Sequence, residues 1–127
     1  MKKIITLLIA VLMVFGLAGC GSNAADDSAD SSSFKIAIIT GTVSQSEDDR
    51  RGAEAVQAKY GEDVVLLATY PDNFTEEYDT TVQTIVNFAD DKDVKAIVVN
   101  QAVPGTTEAF QKVKELRPDI ICLAGEA

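Results

Sequence analysis

Residues 34–45 read Phe-Lys-Ile-Ala-Ile-Ile-Thr-Gly-Thr-Val-Ser-Gln, an unbroken apolar run from Ile36 to Ile39 that breaks off into a threonine, a glycine and polar side chains. A continuous run, as opposed to strict alternation, suits a strand covered on both faces. The pattern recurs at Val64 to Ala68, Ala96 to Val99 and Ile120 to Ala124, and the first residues of the four runs fall 28, 32 and 24 positions apart. That spacing is close to the roughly 30 residues of one βαβ unit.

Helix-period segments fill the gaps. The first has Ala53, Val56 and Tyr60 on one face, with Ser44 and Glu47 placed to form a capping box. The second carries Tyr78, Val82, Ile85, Val86 and Ala89, with Asn73 or Thr75 as its cap. The third presents Ala109 or Phe110, Val113 and Leu116, and Pro118 stops it. The predicted order is β-α-β-α-β-α-β. Right-handed crossovers turn that order into an α/β fold, an open parallel doubly wound sheet with helices on both faces. Complete sheets of this kind, such as the order 2-1-3-4-5, add at least one strand to the four found here. Residues 34–127 are therefore expected to be a partial N-terminal lobe, with the run at Ile120 to Ala124 as a bare apolar edge prone to aggregation.

Upstream, Lys2 and Lys3 precede an almost wholly apolar stretch from Ile4 to Leu17, the n-region and h-region order of a secretory signal peptide. The stretch is short for a spanning helix, which needs about 20 apolar residues. Its end, Leu17-Ala18-Gly19-Cys20, resembles a bacterial lipoprotein signal. That resemblance implies cleavage after residue 19 and diacylation of Cys20, with palmitate-type chains holding the protein in the cell membrane at its extracytoplasmic face. Two acyl chains suffice where one gives marginal binding. Residues 20–33 contain Gly, Ser, Asn, Ala and Asp beyond the cysteine and read as a flexible acidic tether.

Composition narrows the chemistry. The whole chain carries 11 basic and 20 acidic residues, and loss of residues 1–19 leaves a net charge of −11. A phosphate backbone would be repelled, so no nucleic-acid partner is expected. Histidine is absent, which removes the commonest general base and metal ligand. Cys122 sits in an apolar run and reads as a core residue. Neither a G-x-G-x-x-G fingerprint nor a G-x-x-x-x-G-K-[ST] loop occurs, and Glu47, Asp48 and Asp49 in a first helical turn would repel a phosphate. Asp90, Asp91 and Asp93 lack the spacing of a calcium loop and read as a solvated turn. No cofactor, metal or catalytic residue is expected.

Ligands of doubly wound sheets sit beyond the carboxyl ends of the strands, where strand order reverses, which in the order 2-1-3-4 lies between strands one and three. The candidate ligand contacts there are Thr42, Ser44, Gln45, Tyr70, Asp72, Phe74, Gln101, Pro104 and Glu126. Amides, hydroxyls and rings of this kind suit a small polar solute. Each has a plainer reading: Ser44 as an N-cap, Tyr70 and Phe74 as packing beneath a loop, Gly41 and Gly105 as turn formers. Gln45 and Gln101 have no evident local duty.

The segments ITGTVSQSEDDRRGAE (39–54), YGEDVVLLATYPDNF (60–74), VKAIVVNQAVPGT (94–106) and FQKVKELRPDI (110–120) resemble a family of bacterial lipoproteins of unknown function that is similar to the type I periplasmic-binding proteins. The resemblance implies a longer, two-lobed protein that closes over a solute, with residues 41–45, 70–74 and 101–105 facing the cleft. The expected function is therefore a membrane-anchored solute-binding lipoprotein that delivers a small polar molecule to a permease or sensor. Two alternatives are an extracytoplasmic enzyme, with Glu126 as its best local acid or base, and the effector domain of a transcriptional regulator.

Overall fold

A computed structural model describes residues 33–126. The signal peptide, Cys20 and nearly all of the tether fall outside them. Four strands, β1 (Lys35–Thr40), β2 (Val65–Thr69), β3 (Val94–Val99) and β4 (Ile121–Ala124), alternate with α1 (Glu47–Tyr60), α2 (Tyr78–Val86) and α3 (Thr106–Leu116). All strand pairs are parallel and the sheet order is β2-β1-β3-β4, so the expected doubly wound architecture is present. The order reverses between β1 and β3.

One face of the sheet is tightly packed. Ala37 and Ile39 of β1 and Ile97 and Val99 of β3 have no exposed surface, and they meet Val82 and Ile85 of α2, Ala109 and Val113 of α3, and Ile120. Each fully buried Ile or Val there contributes about 1.5–3 kcal/mol relative to an exposed one. This layer holds the strands in register and so fixes where their ends emerge.

Four helix details differ from the sequence expectation. The N-cap of α1 is Ser46, not Ser44, and the Ser46 hydroxyl donates to Asp49 at 2.6 Å. The N-cap of α2 is Glu77; Asn73 instead accepts the Glu76 and Glu77 N–H groups at its carbonyl, in a turn that precedes the helix. Ala89 is buried as expected but lies in a 3₁₀ turn, Asn87–Asp90, that tightens the end of α2. Leu116 is 60 % exposed, because α3 ends there and Arg117 takes over the contact with the sheet. The Arg117 guanidinium donates to the carbonyls of Ala89, Asp91, Lys92 and Val94 and forks onto Asp119. Of the acidic triplet, Asp91 pairs with Lys35 at 2.7 Å.

Candidate functional site: the carboxyl-end rim of the sheet

Four segments meet beyond the strand ends: residues 41–46 after β1, 70–77 after β2, 100–105 after β3, and 125–126 after β4. Parallel pairing obliges them to share one edge of the sheet. Hydrogen bonds between the segments then tie neighbour to neighbour.

The first and second are stapled by Gln45. Its Oε1 accepts the Thr42 N–H at 3.0 Å, and its Nε2 donates to the carbonyls of Asp72 at 2.9 Å and Pro71 at 3.4 Å. Gln45 thus has the local duty that the sequence did not reveal. Beside it, the hydroxyls of Thr42 and Ser44 both donate to Asp72 Oδ1, the Ser44 bond measuring 2.9 Å. These two donors, Thr42 foremost, hold the Asp72 carboxyl below its ordinary range, so it is ionised at neutral pH. Asp72 Oδ2 has no protein donor among the described residues.

Tyr70 is the hub between the second and third segments. It is 2 % exposed, its N–H donates to Thr40, its hydroxyl donates to Gln101 Oε1 at 3.4 Å, and the Phe74 ring meets it edge-on at 5.6 Å. Burial foremost, with the nearby Asp49 charge, pushes the Tyr70 hydroxyl up from its ordinary value. So buried a ring packs beneath the rim, and Phe74, half-buried, is the ring of the pair that stays accessible. Gly41 makes room for this arrangement. A Cβ there would stand 2.9 Å from Gln45 Oε1 and 3.1 Å from the Tyr70 hydroxyl.

The third and fourth segments are clamped through the backbone: Gly125 donates to Val99 at 2.9 Å and accepts from Ala102 at 3.1 Å. Pro104 is exposed and leads into Gly105, whose φ of 97° places it in the left-handed region that opens α3. Glu126 is exposed at the last strand end. The structure therefore joins Thr42, Ser44, Gln45 and Asp72 in one network and Tyr70, Phe74 and Gln101 in another, with Pro104 and Glu126 outside both. Asn100, exposed at the end of β3, is a rim amide that the residue pattern did not single out.

The rim is acidic. It carries Asp48, Asp49, Asp72 and Glu126, and no Lys or Arg occurs in residues 41–49, 70–77, 100–107 or 124–126. Such a surface can hydrogen-bond a neutral or cationic molecule and repels an anion. Among the described residues no group of three or more His, Cys, Asp or Glu could hold a metal ion, and no helix is long and apolar enough to cross a membrane.

Comparison with known proteins agrees with the fold. A Treponema pallidum protein described as uncharacterized is 36 % identical over 99 residues, which are 73 % of this chain and 45 % of that protein. A second uncharacterized T. pallidum protein is 55 % identical over 38 residues, 30 % of this chain and 18 % of its own. A solved Clostridium difficile 630 protein, named as a candidate transcriptional regulator, superposes with a TM-score of 0.66 at 34 % identity, over 74 % of this chain and 30 % of that one. The chain thus spans less than half the length of each of these three. A family model described as "Protein of unknown function (DUF3798)" matches residues 34–127, the whole of the sheet and its helices, and the chain belongs to that family.

Proposed function

We propose that this chain is the solute-facing α/β lobe of an extracytoplasmic lipoprotein, anchored through acylated Cys20, that captures a small neutral or cationic polar molecule and presents it to a permease or sensor. The observation that supports this most is the convergence of Thr42, Ser44, Asp72, Asn100 and Gln101 on the carboxyl-end rim, where strand order reverses between β1 and β3. No general base in the form of histidine accompanies them. The test is thermal unfolding of the protein starting at Cys20, with a panel of sugars, nucleosides, amino acids and amines. One compound class should raise the melting temperature, and Asp72→Asn should reduce that rise. A panel with no effect in any class would overturn the proposal.

The name of the C. difficile neighbour favours a second reading, a ligand-sensing domain of a transcriptional regulator. Both readings place the effector at the same rim, so the anchor separates them. Radiolabelled palmitate incorporated into wild-type chain but not into Cys20→Ser supports the lipoprotein. Unlabelled chain in the soluble fraction supports the regulator.

A further inference from the structure

The apolar stripe of α1 parts from the sheet along its length. Ala53, Val56 and Tyr60 share one helix face, yet their exposure climbs from 6 % through 39 % to 56 %. Beneath the last two turns lies a pocket of about 290 Å³, between the end of α1 and the starts of β1 and β2. It is lined by Phe34, Ile36, Ile38, Val56, Tyr60 and Val65, with no charged side chain in its wall. Phe34 is itself 52 % exposed.

In this parallel arrangement the carboxyl ends of the helices and the amino ends of the strands share one edge, opposite the rim. That edge gathers residues 34–35, 59–64, 87–95 and 114–120. These segments hold six Lys or Arg against seven Asp or Glu, whereas the rest of residues 34–127 holds three against ten. The acidity is thus borne by the remainder of the domain, the rim included. Lys59, Lys92 and Lys114 of the edge have no carboxylate partner among the described residues. The Lys59 ammonium stands 5.1 Å from the centroid of the Tyr60 ring, and exposed Leu116 adds an apolar side chain to the same edge. Aromatic rings beside a lysine suit a membrane–water interface, with the ring at the acyl boundary and the ammonium among headgroups. Phe34 also follows directly on residues 20–33, and those fourteen residues span about 50 Å at most.

We propose that the amino-end edge is a membrane-docking face, where phospholipid acyl chains of the bilayer enter the pocket between Phe34 and Tyr60 while Lys59, Lys92 and Lys114 meet headgroup phosphates. This rests on the anchored reading of Cys20. Repulsion between an anionic leaflet and the acidic remainder of the domain favours the same orientation. The rim then stands one strand length, about 20 Å, farther from the bilayer than the edge does. A permease or sensor must reach it with a part that lies outside the membrane.

Tryptophan fluorescence tests this, since the chain has no tryptophan of its own. The protein starting at Cys20, in a Cys122→Ser background, is coupled through the Cys20 thiol to a maleimide lipid in vesicles of phosphatidylglycerol and phosphatidylcholine brominated on their acyl chains. Tyr60→Trp and Phe34→Trp should each shift emission to the blue and lose most of it to the bromine, and either suffices should the other fail to fold. Val43→Trp, exposed on the rim, should keep the emission it has on vesicles without bromine. Unquenched emission from the edge variants would overturn the proposal, as would equal quenching of Val43→Trp. Quenching only when the anchor lipid itself is brominated would also overturn it, by making the protein's own acyl chain the occupant. A blue shift without vesicles that grows with protein concentration would do the same in favour of a second copy. Because the coupling is chemical, the outcome does not depend on whether cells acylate Cys20, which palmitate incorporation decides separately.

Discussion

Gly125 offers the sharpest quantitative test of how the rim is built. An alanine there would place its Cβ 1.9 Å from the Asn100 carbonyl oxygen and 3.0 Å from the carbonyl carbon, both backbone atoms, so one strand end must move. β3 is an interior strand whose Val99 is wholly buried, whereas β4 is an edge strand with Ile121 and Leu123 more than half exposed. The end of β4 therefore lifts. What it loses is the pair of bonds from Gly125 to Val99 and from Ala102 to Gly125, each contributing about 0.5–1.5 kcal/mol net, so the expected cost of Gly125→Ala is about 2 kcal/mol. For a domain of this size that lowers Tm by about 8–16 °C. Urea unfolding followed by circular dichroism measures the cost. Amide exchange locates it, with Gly125 and Ala102 losing protection while β1 and β2 keep theirs. Gly52→Ala is the matched control: with open space around its Cβ it should stabilise the chain by about 0.5–1 kcal/mol. A Gly125→Ala variant as stable as wild type would refute the clamp between the third and fourth segments.

Three further outcomes follow from the same geometry. Gln45→Ala removes the staple between the first two rim segments and should cost about 1 kcal/mol, with faster exchange at the Thr42 amide; unchanged exchange there would dismiss the staple. Asp72 should titrate below the ordinary carboxylate value of about 3.9, and Thr42→Val should move it upward in a carboxyl-carbon NMR titration; its folded value is depressed, so what its bonds contribute is present above the ordinary value and lost as pH falls through the folded one. Asp119, lowered to about 2 by the Arg117 guanidinium, should behave the same way, and its contribution should vanish as pH drops through about 2; Arg117→Gln should return it toward the ordinary value, and a midpoint insensitive to that change would remove the ion pair from the account.

The sheet was legible in the sequence because burial on the packed face is a composition signal. Each apolar run matches its strand to within two residues at either end, and the reversal between β1 and β3 is the one expected for the order 2-1-3-4. The helix starts were less legible for a specific reason. Ser44 with Glu47 and Ser46 with Asp49 both satisfy a cap-and-acid spacing, and local pattern cannot choose between two frames offset by two residues. The choice is made by Asp72, 28 residues away, which draws the Ser44 hydroxyl into the rim and leaves Ser46 to begin α1. The staple that Gln45 makes to Pro71 and Asp72 was hidden in the same manner, since those partners lie 26 and 27 residues along the chain. Packing of the Tyr70 ring beneath a loop was among the readings, and only its hydroxyl partner, Gln101, 31 residues away, was not. Leu116 illustrates the opposite error: helical period assigned it to the core, but it is the last residue of α3 and 60 % exposed, and it is Arg117 that reaches the sheet, at the Val94 carbonyl.

These long-range bonds also shape what the rim can recognise. Both polar atoms of the Gln45 amide and both hydroxyl protons beside Asp72 are spent within the protein, and Tyr70 is sealed beneath Phe74 and Gln101. The groups left over include Asp72 Oδ2, the exposed Asn100 amide, the Gln101 amide nitrogen, and the exposed carboxylates of Asp48 and Glu126, whereas Glu47 holds Arg51 and Asp49 accepts from Ser46. A molecule meeting them encounters acceptors and negative charge in positions already fixed by the stapled loops, so little ordering has to accompany binding. A like charge about 4 Å from one such carboxylate costs about 1 kcal/mol in open water and about 4 kcal/mol near a protein surface. With no Lys or Arg on the rim to offset that cost, phosphate and carboxylate solutes are disfavoured at each acidic position. Polyols, amides and amines meet no such penalty, and an amine gains from the same field. On the proposed reading, selectivity by charge is thus set by the acidic residues of the rim.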